Sequence, residues 1–267
     1  MTINDENIYY SHHQYLNPDD TPQYFMRHSH STAEIIFFET GDVDYVIEDR
    51  KYTLKKGDLV FIRPGKYHYV EIKSKAAYSR FNLAFDTQTV GKALLKSIPE
   101  DVEIINCNED SIIADIFKKM DYYSSFLDVK AFIDLLVGLL KEVFYNFLHY
   151  KDALIAPTQI SPLLTKAVEY INDNLLTITG IKEISDYLFI TEPYFFKLFK
   201  TQLKISPKKY INNKRLLYAQ KLLRRGKKPI DVYSVCGFET YVGFYKQYLK
   251  AFGYSPSKEK VITTISQ

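Results

Sequence analysis

The chain has 267 residues, of which 46% are hydrophobic and 25% are charged, a balance typical of soluble globular proteins. This length exceeds what one small core usually organises, so two domains are expected. The sequence has no apolar run long enough to span a bilayer and no basic segment followed by an apolar run at its start. Neither a transmembrane helix nor a signal peptide is therefore expected.

The two cysteines, Cys107 and Cys236, lie far apart and match no disulfide or zinc spacing. Both are predicted to be reduced thiols in a cytoplasmic protein. Charge is unevenly distributed, because residues 156–267 contain 18 Lys and Arg against 8 Asp and Glu, whereas residues 1–155 contain 17 against 24. A basic C-terminal part indicates binding to a polyanion, although a solvated surface of uneven composition would give the same counts.

Residues 24–85 contain short segments rich in Ile, Val, Phe and Tyr, separated by turn signals. These segments are Glu34–Glu39, Asp42–Glu48, Lys51–Leu54, Asp58–Ile62 and Tyr67–Ile72. Their spacing predicts an antiparallel barrel or sandwich. From about Ser111 the apolar period becomes helical, and a long amphipathic helix is predicted over Val129–His149. Its wide apolar stripe fits packing against the barrel or against a second copy, and a homodimer is expected.

The C-terminal part contains an internal repeat. Phe195–Phe199 aligns with Phe244–Tyr248 at an offset of 49, and Ser206-Pro207 aligns with Ser255-Pro256 at the same offset. Upstream residues align at an offset of 48, so one turn contains one extra residue. Thr191 and Thr240 precede the matching segments as predicted N-caps, and the two Ser-Pro pairs are predicted to start further helices.

Each copy is predicted to be a short helix, a tight turn and a second helix. The helices are Lys182–Leu188 and Glu192–Leu203 in the first copy, and Ile230–Cys236 and Tyr241–Phe252 in the second. This is the helix-turn-helix pattern, whose second helix enters the major groove of DNA. A helix over Pro207–Leu223 would hold the two recognition helices about one DNA turn apart, roughly 34 Å. The alternative is an ordinary helical bundle with basic sides.

Several motifs within residues 160–260 resemble the C-terminal domain of the AraC/XylS family of transcription regulators. They are Phe195-x3-Phe199-Lys200, Ser206-Pro207-x2-Tyr210-Ile211, Lys214-Arg215-Leu216, Gly237-Phe238-x5-Phe244-x-Lys246 and Phe252-Gly253-x-Ser255-Pro256. The resemblance implies a sequence-specific regulator that binds double-stranded DNA, has no enzymatic activity and needs no cofactor. It makes RNA polymerase a candidate partner, and does not decide between an activator and a repressor.

The same resemblance implies which residues contact DNA. They are Pro193, Phe196, Lys197 and Lys200 in the first copy, and Tyr241, Val242, Tyr245 and Lys246 in the second. Two positions depart from the family pattern: Tyr233 stands where alanine is usual, and Leu249 where lysine is usual. Both lie in the second copy, so the first unit is expected to bind DNA more firmly.

A second resemblance lies in the N-terminal part, where His28-x-His30-x3-Glu34 and Gly57-x7-Gly65-x2-His68 are similar to the motifs of cupin barrels. In cupin enzymes the matching residues bind a divalent metal, for which imidazoles and a carboxylate are suitable ligands. Here Arg63 replaces a usual proline. In sensory domains of AraC/XylS regulators the pattern instead lines or supports an effector pocket without a metal.

His28, His30, Glu34 and His68 are therefore predicted to bind a small-molecule effector, such as a sugar, and no metal. One alternative is a metal-dependent cupin enzyme fused to a DNA-binding domain. Another is that His30 and Glu34 only bond within the barrel and stabilise it. Residues 7–24 form either an arm over the ligand, as in relatives, or a disordered terminus.

The prediction is a two-domain α+β protein. Residues 1–155 form a cupin-like antiparallel β-barrel with C-terminal helices, which binds the effector and dimerises. Residues 156–267 form an all-α domain with two helix-turn-helix motifs, which binds DNA.

Overall fold

The computed structural model describes residues 2–4, 8–18, 27–100, 102–108, 111–150 and 154–259. The chain divides into two compact units, Met1–Thr158 and Gln159–Gln267. The first unit contains antiparallel sheets and helices, whereas the second is helical apart from one end of a two-residue strand. The predicted α+β architecture is therefore confirmed. Within the described residues no helix combines the length and apolar content needed to cross a bilayer.

Two sheets form the first unit. One contains β1 (Thr2–Asn4), β2 (Ile8–Tyr15), β3 (Ala33–Thr40), β6 (Asp58–Ile62), β8 (Tyr78–Phe85) and β9 (Ile104–Asn106). The other contains β4 (Val43–Ile47), β5 (Arg50–Thr53), β7 (His68–Ile72) and β10 (Thr158–Gln159). The sheet orders are β1–β2–β8–β3–β6–β9 and β10–β5–β4–β7. All five strands predicted individually are present, as β3 to β7.

Side chains alternate between the two sides of a strand, and in the first sheet both sides are buried. On one face Phe37 and Phe81 join a core that includes the helices. On the other face Phe38 and Tyr78 join Tyr45 of the second sheet in a separate core. The space between the sheets is therefore the interior of the barrel.

Four helices accompany the sheets: α1 (Thr87–Val90), α2 (Lys92–Lys96), α3 (Ile112–Ser124) and α4 (Val129–His149). Helix α4 has the predicted bounds, and Asp128 caps its N-terminus by accepting a hydrogen bond from the Ala131 backbone. Its apolar stripe, which includes Phe132, Leu136 and Phe144, is buried in the core that faces the first sheet. The stripe thus packs against the barrel, which was one of the two predicted options.

The N-terminal segment differs from the expected arm. Residues Ile8–Tyr15 are strand β2, which pairs with β8 along its whole length. Ile8 and Tyr10 are buried in the helix-facing core, so alternating apolar residues hold this segment in the sheet. Residues 19–26 of the expected arm lie outside the described residues.

The second unit contains α5 (Pro162–Asp173), α6 (Ile181–Tyr187), α7 (Glu192–Gln202), α8 (Pro207–Arg224), α9 (Pro229–Val235) and α10 (Tyr241–Phe252). The predicted caps are confirmed, since Thr191 accepts a hydrogen bond from the backbone of Tyr194, and Thr240 from that of Gly243. Ser206 caps α8 in the same way, but Ser255-Pro256 starts only a 3-10 turn and not the predicted helix.

The short final turn is explained by Glu259, which follows it in an extended conformation. The Glu259 carboxylate accepts hydrogen bonds from Arg224 Nε at 2.9 Å, from the Tyr254 hydroxyl at 2.8 Å and from the Tyr248 hydroxyl. Burial acts to raise the pKa of Glu259, but the hydrogen bonds from Tyr248, Arg224 and Tyr254 outweigh it and lower this pKa. The carboxylate thereby ties the end of the chain to α8 and α10.

We predict that Glu259→Gln lowers the free energy of unfolding of the second unit by about 1–3 kcal/mol at pH 7, because Arg224 loses a buried counter-ion. A carboxyl with a lowered folded-state pKa stabilises above its ordinary pKa of 4.5, and this contribution is lost as the pH falls through the folded-state value. The difference between wild type and variant should therefore shrink below pH 4.5. Denaturant unfolding followed by circular dichroism measures it, with exposed Glu239→Gln as control. Equal stabilities of wild type and Glu259→Gln at pH 7 would contradict the assignment.

Candidate functional site

Helix α7 has one buried face and one exposed face. Phe195, Leu198 and Phe199 are buried, and the ring of Phe199 lies 5.5 Å from that of Tyr210 on α8. The opposite face carries the four residues of the first copy that were predicted to contact DNA. All four are exposed: Pro193, Phe196, Lys197 and Lys200.

Helix α10 is arranged in the same way, with Phe244 and Tyr248 completely buried. Its predicted DNA contacts Val242, Tyr245 and Lys246 are exposed, whereas Tyr241 is only half-exposed. The ring of Tyr241 packs against Tyr233 at 5.9 Å. Tyr233, which departs from the family pattern, therefore covers part of Tyr241, a residue predicted to contact DNA.

The outer faces of α7 and α10 both carry exposed lysines beside apolar side chains. Lysine ammonium groups can pair with phosphates or with guanine edges, and exposed Phe, Tyr or Val can contact thymine methyl groups. The exposed fraction is 62% for Val242 and 37% for both Phe196 and Tyr245. Large exposed apolar groups on a basic face are better suited to the major groove than to water.

The first unit brings the four predicted effector residues together. One ligand atom from each of His28, His30, Glu34 and His68 lies within 4.8 Å of the other three. Glu34 belongs to β3 and His68 to β7, so the cluster joins the two sheets. His28 is held beside His68 by two backbone hydrogen bonds, of 3.1 and 2.9 Å.

The contacts of the imidazoles define their orientation. Nδ1 of His30 lies 2.9 Å from the Thr32 carbonyl, and Nδ1 of His68 lies 2.9 Å from the Lys66 carbonyl. Both Nε2 atoms consequently point at Glu34 Oε2, at 3.1 and 3.0 Å. The predicted alternative, that His30 and Glu34 bond within the barrel, is thus seen in the structure.

The contacts between Glu34 and the imidazoles limit which of these groups can be protonated. Burial acts to raise the pKa of Glu34, but hydrogen bonds and charge interactions with His30 and His68 hold it well below its ordinary value. If each Nδ1 donates to a carbonyl, each Nε2 contact with the carboxylate needs a second proton or a shared cation. Nε2 of His68 has no well-aligned hydrogen-bond partner among the described residues.

A second group of polar side chains lies on the interior face of the same sheet and was missed from the sequence. Arg80 and Asn82 of β8 are buried, as is Ser11 of β2, which pairs directly with Asn82. Within the described structure Arg80 Nε, Asn82 Oδ1 and Ser11 Oγ have no hydrogen-bond partner. Buried polar atoms are normally paired, so this interior is suited to ordered water or a polar ligand.

The charge of Arg80 affects its surroundings. Its guanidinium carbon lies 5.5 Å from the centre of the Tyr78 ring. Burial and the Arg80 charge together lower the pKa of His13, opposite Arg80 in the sheet, to about 4. A signal was available in the sequence, because polar residues in β8 alternate with Phe81, Leu83 and Phe85. Residues 78–85 were not among the five strands predicted individually.

Arg63, where cupin motifs usually have proline, also has a defined role. Its guanidinium donates to the backbone carbonyls of Val102, Ile98 and Pro99, at 2.8, 3.2 and 2.6 Å. The residue that departs from the cupin pattern thus holds the segment that leads into β9.

Comparison with protein families gives two matches. Residues 15–120 match the AraC-like ligand binding domain, and residues 184–260 match a helix-turn-helix domain. The two matched ranges do not overlap, and together they cover more than half of the chain.

Curated relatives match as well. The transcriptional activator RhaR of Escherichia coli is 23% identical over 88% of this chain and 86% of its own length. RafR of Pediococcus pentosaceus, a regulatory protein of the raffinose operon, is 24% identical over 76% of this chain and 75% of its own. LumQ of Photobacterium leiognathi, a probable transcriptional regulator, is 32% identical over 33% of this chain, and the match spans 36% of that protein.

Among solved structures, an apo variant of ToxT from Vibrio cholerae is 14% identical, with a TM-score of 0.42. The alignment covers 96% of this chain and 97% of that chain. A probable AraC family regulator from Rhodopseudomonas palustris is 26% identical over 37% of this chain and 94% of that chain, with a TM-score of 0.35.

Proposed function

We propose that this chain, which belongs to the AraC/XylS family of DNA-binding transcription regulators, controls transcription in response to a small polar molecule bound inside its N-terminal barrel. The observation that carries the DNA-binding part is the repeated helix-turn-helix with all its predicted lysine contacts exposed. The relatives named above are regulators, and none of their names describes an enzyme.

The DNA contacts of the proposal are Pro193, Phe196, Lys197 and Lys200 on α7, and Tyr241, Val242, Tyr245 and Lys246 on α10. Each recognition helix would enter one segment of major groove on the same side of the duplex. The proposal includes a homodimer and RNA polymerase as partners. It also places the protein in the cytoplasm, in keeping with the two buried free thiols of Cys107 and Cys236.

The effector part of the proposal uses the interior face of the first sheet. Ser11, Arg80 and Asn82 offer one hydroxyl, one guanidinium N–H and one amide oxygen, which suit the hydroxyl groups of a sugar. Glu34 lies on β3, the neighbour of β8, and its cluster with His28, His30 and His68 completes the proposed site. The relationship to a raffinose operon regulator supports a sugar as the class of effector.

A second candidate role for the four-residue cluster is to hold a divalent metal. The donor set fits, because three imidazoles and a carboxylate suit Fe, Mn, Ni or Zn. Two of the imidazoles have Nδ1 beside a carbonyl, the arrangement that orients histidine ligands in metal sites. A cation held there would supply the positive charge that the buried Glu34 carboxylate needs and would join the two sheets.

We predict that Lys197→Ala and Lys246→Ala each weaken binding to the chain's own upstream promoter DNA without unfolding the protein. A base contact should cost roughly 1–3 kcal/mol and relax specificity, whereas a phosphate contact should reduce the salt slope by about one. The larger loss is expected for Lys197, because the second unit departs from the family pattern. Gel shifts over a salt series measure both effects.

Lys141→Ala, at an exposed lysine of α4, is the matched control and should bind DNA like the wild type. If the wild type shows no salt-sensitive, sequence-preferring binding, the proposed function is wrong. If it binds DNA but neither lysine variant is weaker, the recognition helices have been misplaced.

We predict that one or more sugars raise the thermal stability of the wild type, by about 2.7 kcal/mol at a hundred times the dissociation constant. Asn82→Leu should abolish this stabilisation, because it removes the amide oxygen that lacks a partner. The apo protein should tolerate this change, since an unpaired buried polar atom is replaced by an apolar one of similar size. Thermal shift against a panel of mono- and oligosaccharides is the measurement.

Exposed Ser74→Ala serves as the control for the sugar screen. A sugar that stabilises Asn82→Leu as strongly as the wild type would place the effector elsewhere. Absence of any sugar response would remove sugars as the effector class while leaving DNA binding intact.

If the cluster holds a metal, protein purified without chelators should contain about one equivalent of Fe, Mn, Ni or Zn, and its melting temperature should fall after chelation. His28→Gln should reduce the metal content and the effect of chelation, because the exposed His28 contributes a ligand but little to the core. Exposed His149→Gln is the control. Metal-free wild type whose melting temperature does not change on adding these ions would rule the metal role out.

A further inference from the structure

The turns of the two helix-turn-helix units are held differently. In the first unit the turn residue Phe189 has a φ of 55°, and its side chain is 95% exposed. The matching residue of the second unit is Gly237, with a φ of 76°. A Cβ built on Gly237 would lie 2.7 Å from Cζ of Arg215, so a larger residue at this position would have to displace the guanidinium. A side chain of α8 therefore covers the second turn, whereas the first turn is open.

Arg215 also bonds to the loop that leads into the first unit. Its Nε donates to the Leu175 carbonyl at 2.9 Å, and its Nη2 donates to the Ile178 carbonyl at 2.6 Å. Both carbonyls lie in the loop between α5 and α6. Its Nη1 donates to the Gly237 carbonyl in the second turn, at 2.8 Å. One side chain is thus hydrogen-bonded both to the turn of the second unit and to the loop that leads into the first.

The chemistry of this contact requires arginine. Arg215 is only 8% exposed, and burial lowers the pKa of its guanidinium. Its partners are three carbonyls in three different directions, which a planar fork of N–H donors can reach together. A lysine ammonium is a single point charge on a flexible stem and cannot bridge the same three groups.

Both units also pack on the same helix, α8. Helices α6 and α7 pack on each other and α7 packs on α8, while α9 and α10 pack on each other and on α8. A cleft of about 290 Å³ lies beside Arg215, lined by residues of both units and of α8. Asn212 of α8 donates to Gln247 of α10 at 2.8 Å, but this bond holds the second unit only.

We propose that Arg215 is a positioning residue that sets the distance and angle between the two recognition helices, so that the protein selects DNA by the spacing of its two half-sites. This inference rests on the proposed function, because spacing matters only when α7 and α10 bind the same duplex. Each added base pair moves the second half-site by about 3.4 Å and rotates it by about 35°, since a turn of about 34–36 Å contains 10–10.5 base pairs. A rigid pair of helices cannot follow this change, whereas a loosely joined pair can.

The test uses the full chain and a duplex that the wild type selects from a randomised DNA library. Further duplexes have the two half-sites moved apart by one or two base pairs, and another has a single half-site. For the wild type we expect a loss of about tenfold or more in affinity per added base pair. For Arg215→Lys and Arg215→Met we expect weaker binding at the selected spacing and at most about a threefold difference between spacings. Binding to the single half-site should be unchanged.

The internal repeat supplies a second variant and its control. Gly237→Ala places a methyl group against Arg215 and should flatten the spacing profile in the same way. Phe189→Ala changes the matching position of the first unit. Phe189 is not one of the proposed DNA contacts, so this variant should keep the wild-type dependence of affinity on spacing. Circular dichroism identifies any variant that does not fold, and Arg215→Lys is the variant that best keeps the fold.

Variants that fold and lose affinity equally at every spacing would overturn the proposal, because Arg215 would then contribute stability and not position. Folded variants with the wild-type profile would overturn it as well. A wild type that selects no DNA at all would overturn the proposed function itself, and with it the role of Arg215. A wild type that binds DNA but ignores spacing would overturn only the positioning role.

Discussion

A charge removed from water is stable only when groups of the protein replace the lost solvent, and this constraint organises both units. Glu34 lies within 3.1 Å of two imidazole nitrogens, Glu259 is bonded by an arginine and two tyrosines, and Arg215 by three carbonyls. In each case at least one partner comes from an element far away in the chain. The fold therefore has to be complete before these charges are paired, so each one favours a single arrangement of its neighbours over others.

Strand β8 shows how one segment serves both stability and recognition. Its Phe81, Leu83 and Phe85 face the helices and share a core with α3 and α4, whereas Arg80 and Asn82 face the interior of the barrel. An interior packed only with apolar side chains would be more stable but could not recognise a polar ligand. The polar atoms without partners are thus a cost in folding free energy that becomes useful when a ligand pairs with them.

The features that follow from local rules were predictable from the sequence. The bounds of α4, the caps of α7 and α10 and the close approach of His30 to Glu34 depend on periodicity, side-chain capping and short sequence separation. Long-range pairing was not predictable: β2 becomes a strand only because β8 lies beside it. The role of Arg215 is of the same kind. Its motif was part of the family resemblance, but its partners lie 40 and 22 residues away along the chain.

The two positions at which the second helix-turn-helix unit departs from the family pattern can be related to the contacts of Arg215. Tyr233 packs on Tyr241 and half-buries a predicted DNA contact, and Leu249 removes a lysine, so this unit has fewer groups free to bind DNA. A weak contact adds to affinity only if little entropy is lost in making it, which requires that it be held in place beforehand. Arg215 bonds the turn of this unit, whereas Phe189 in the turn of the first unit is 95% exposed. Arg215 therefore fixes the unit that has the fewer DNA contacts. Because it is held in place, the second unit can add specificity for half-site spacing even when it adds little affinity of its own.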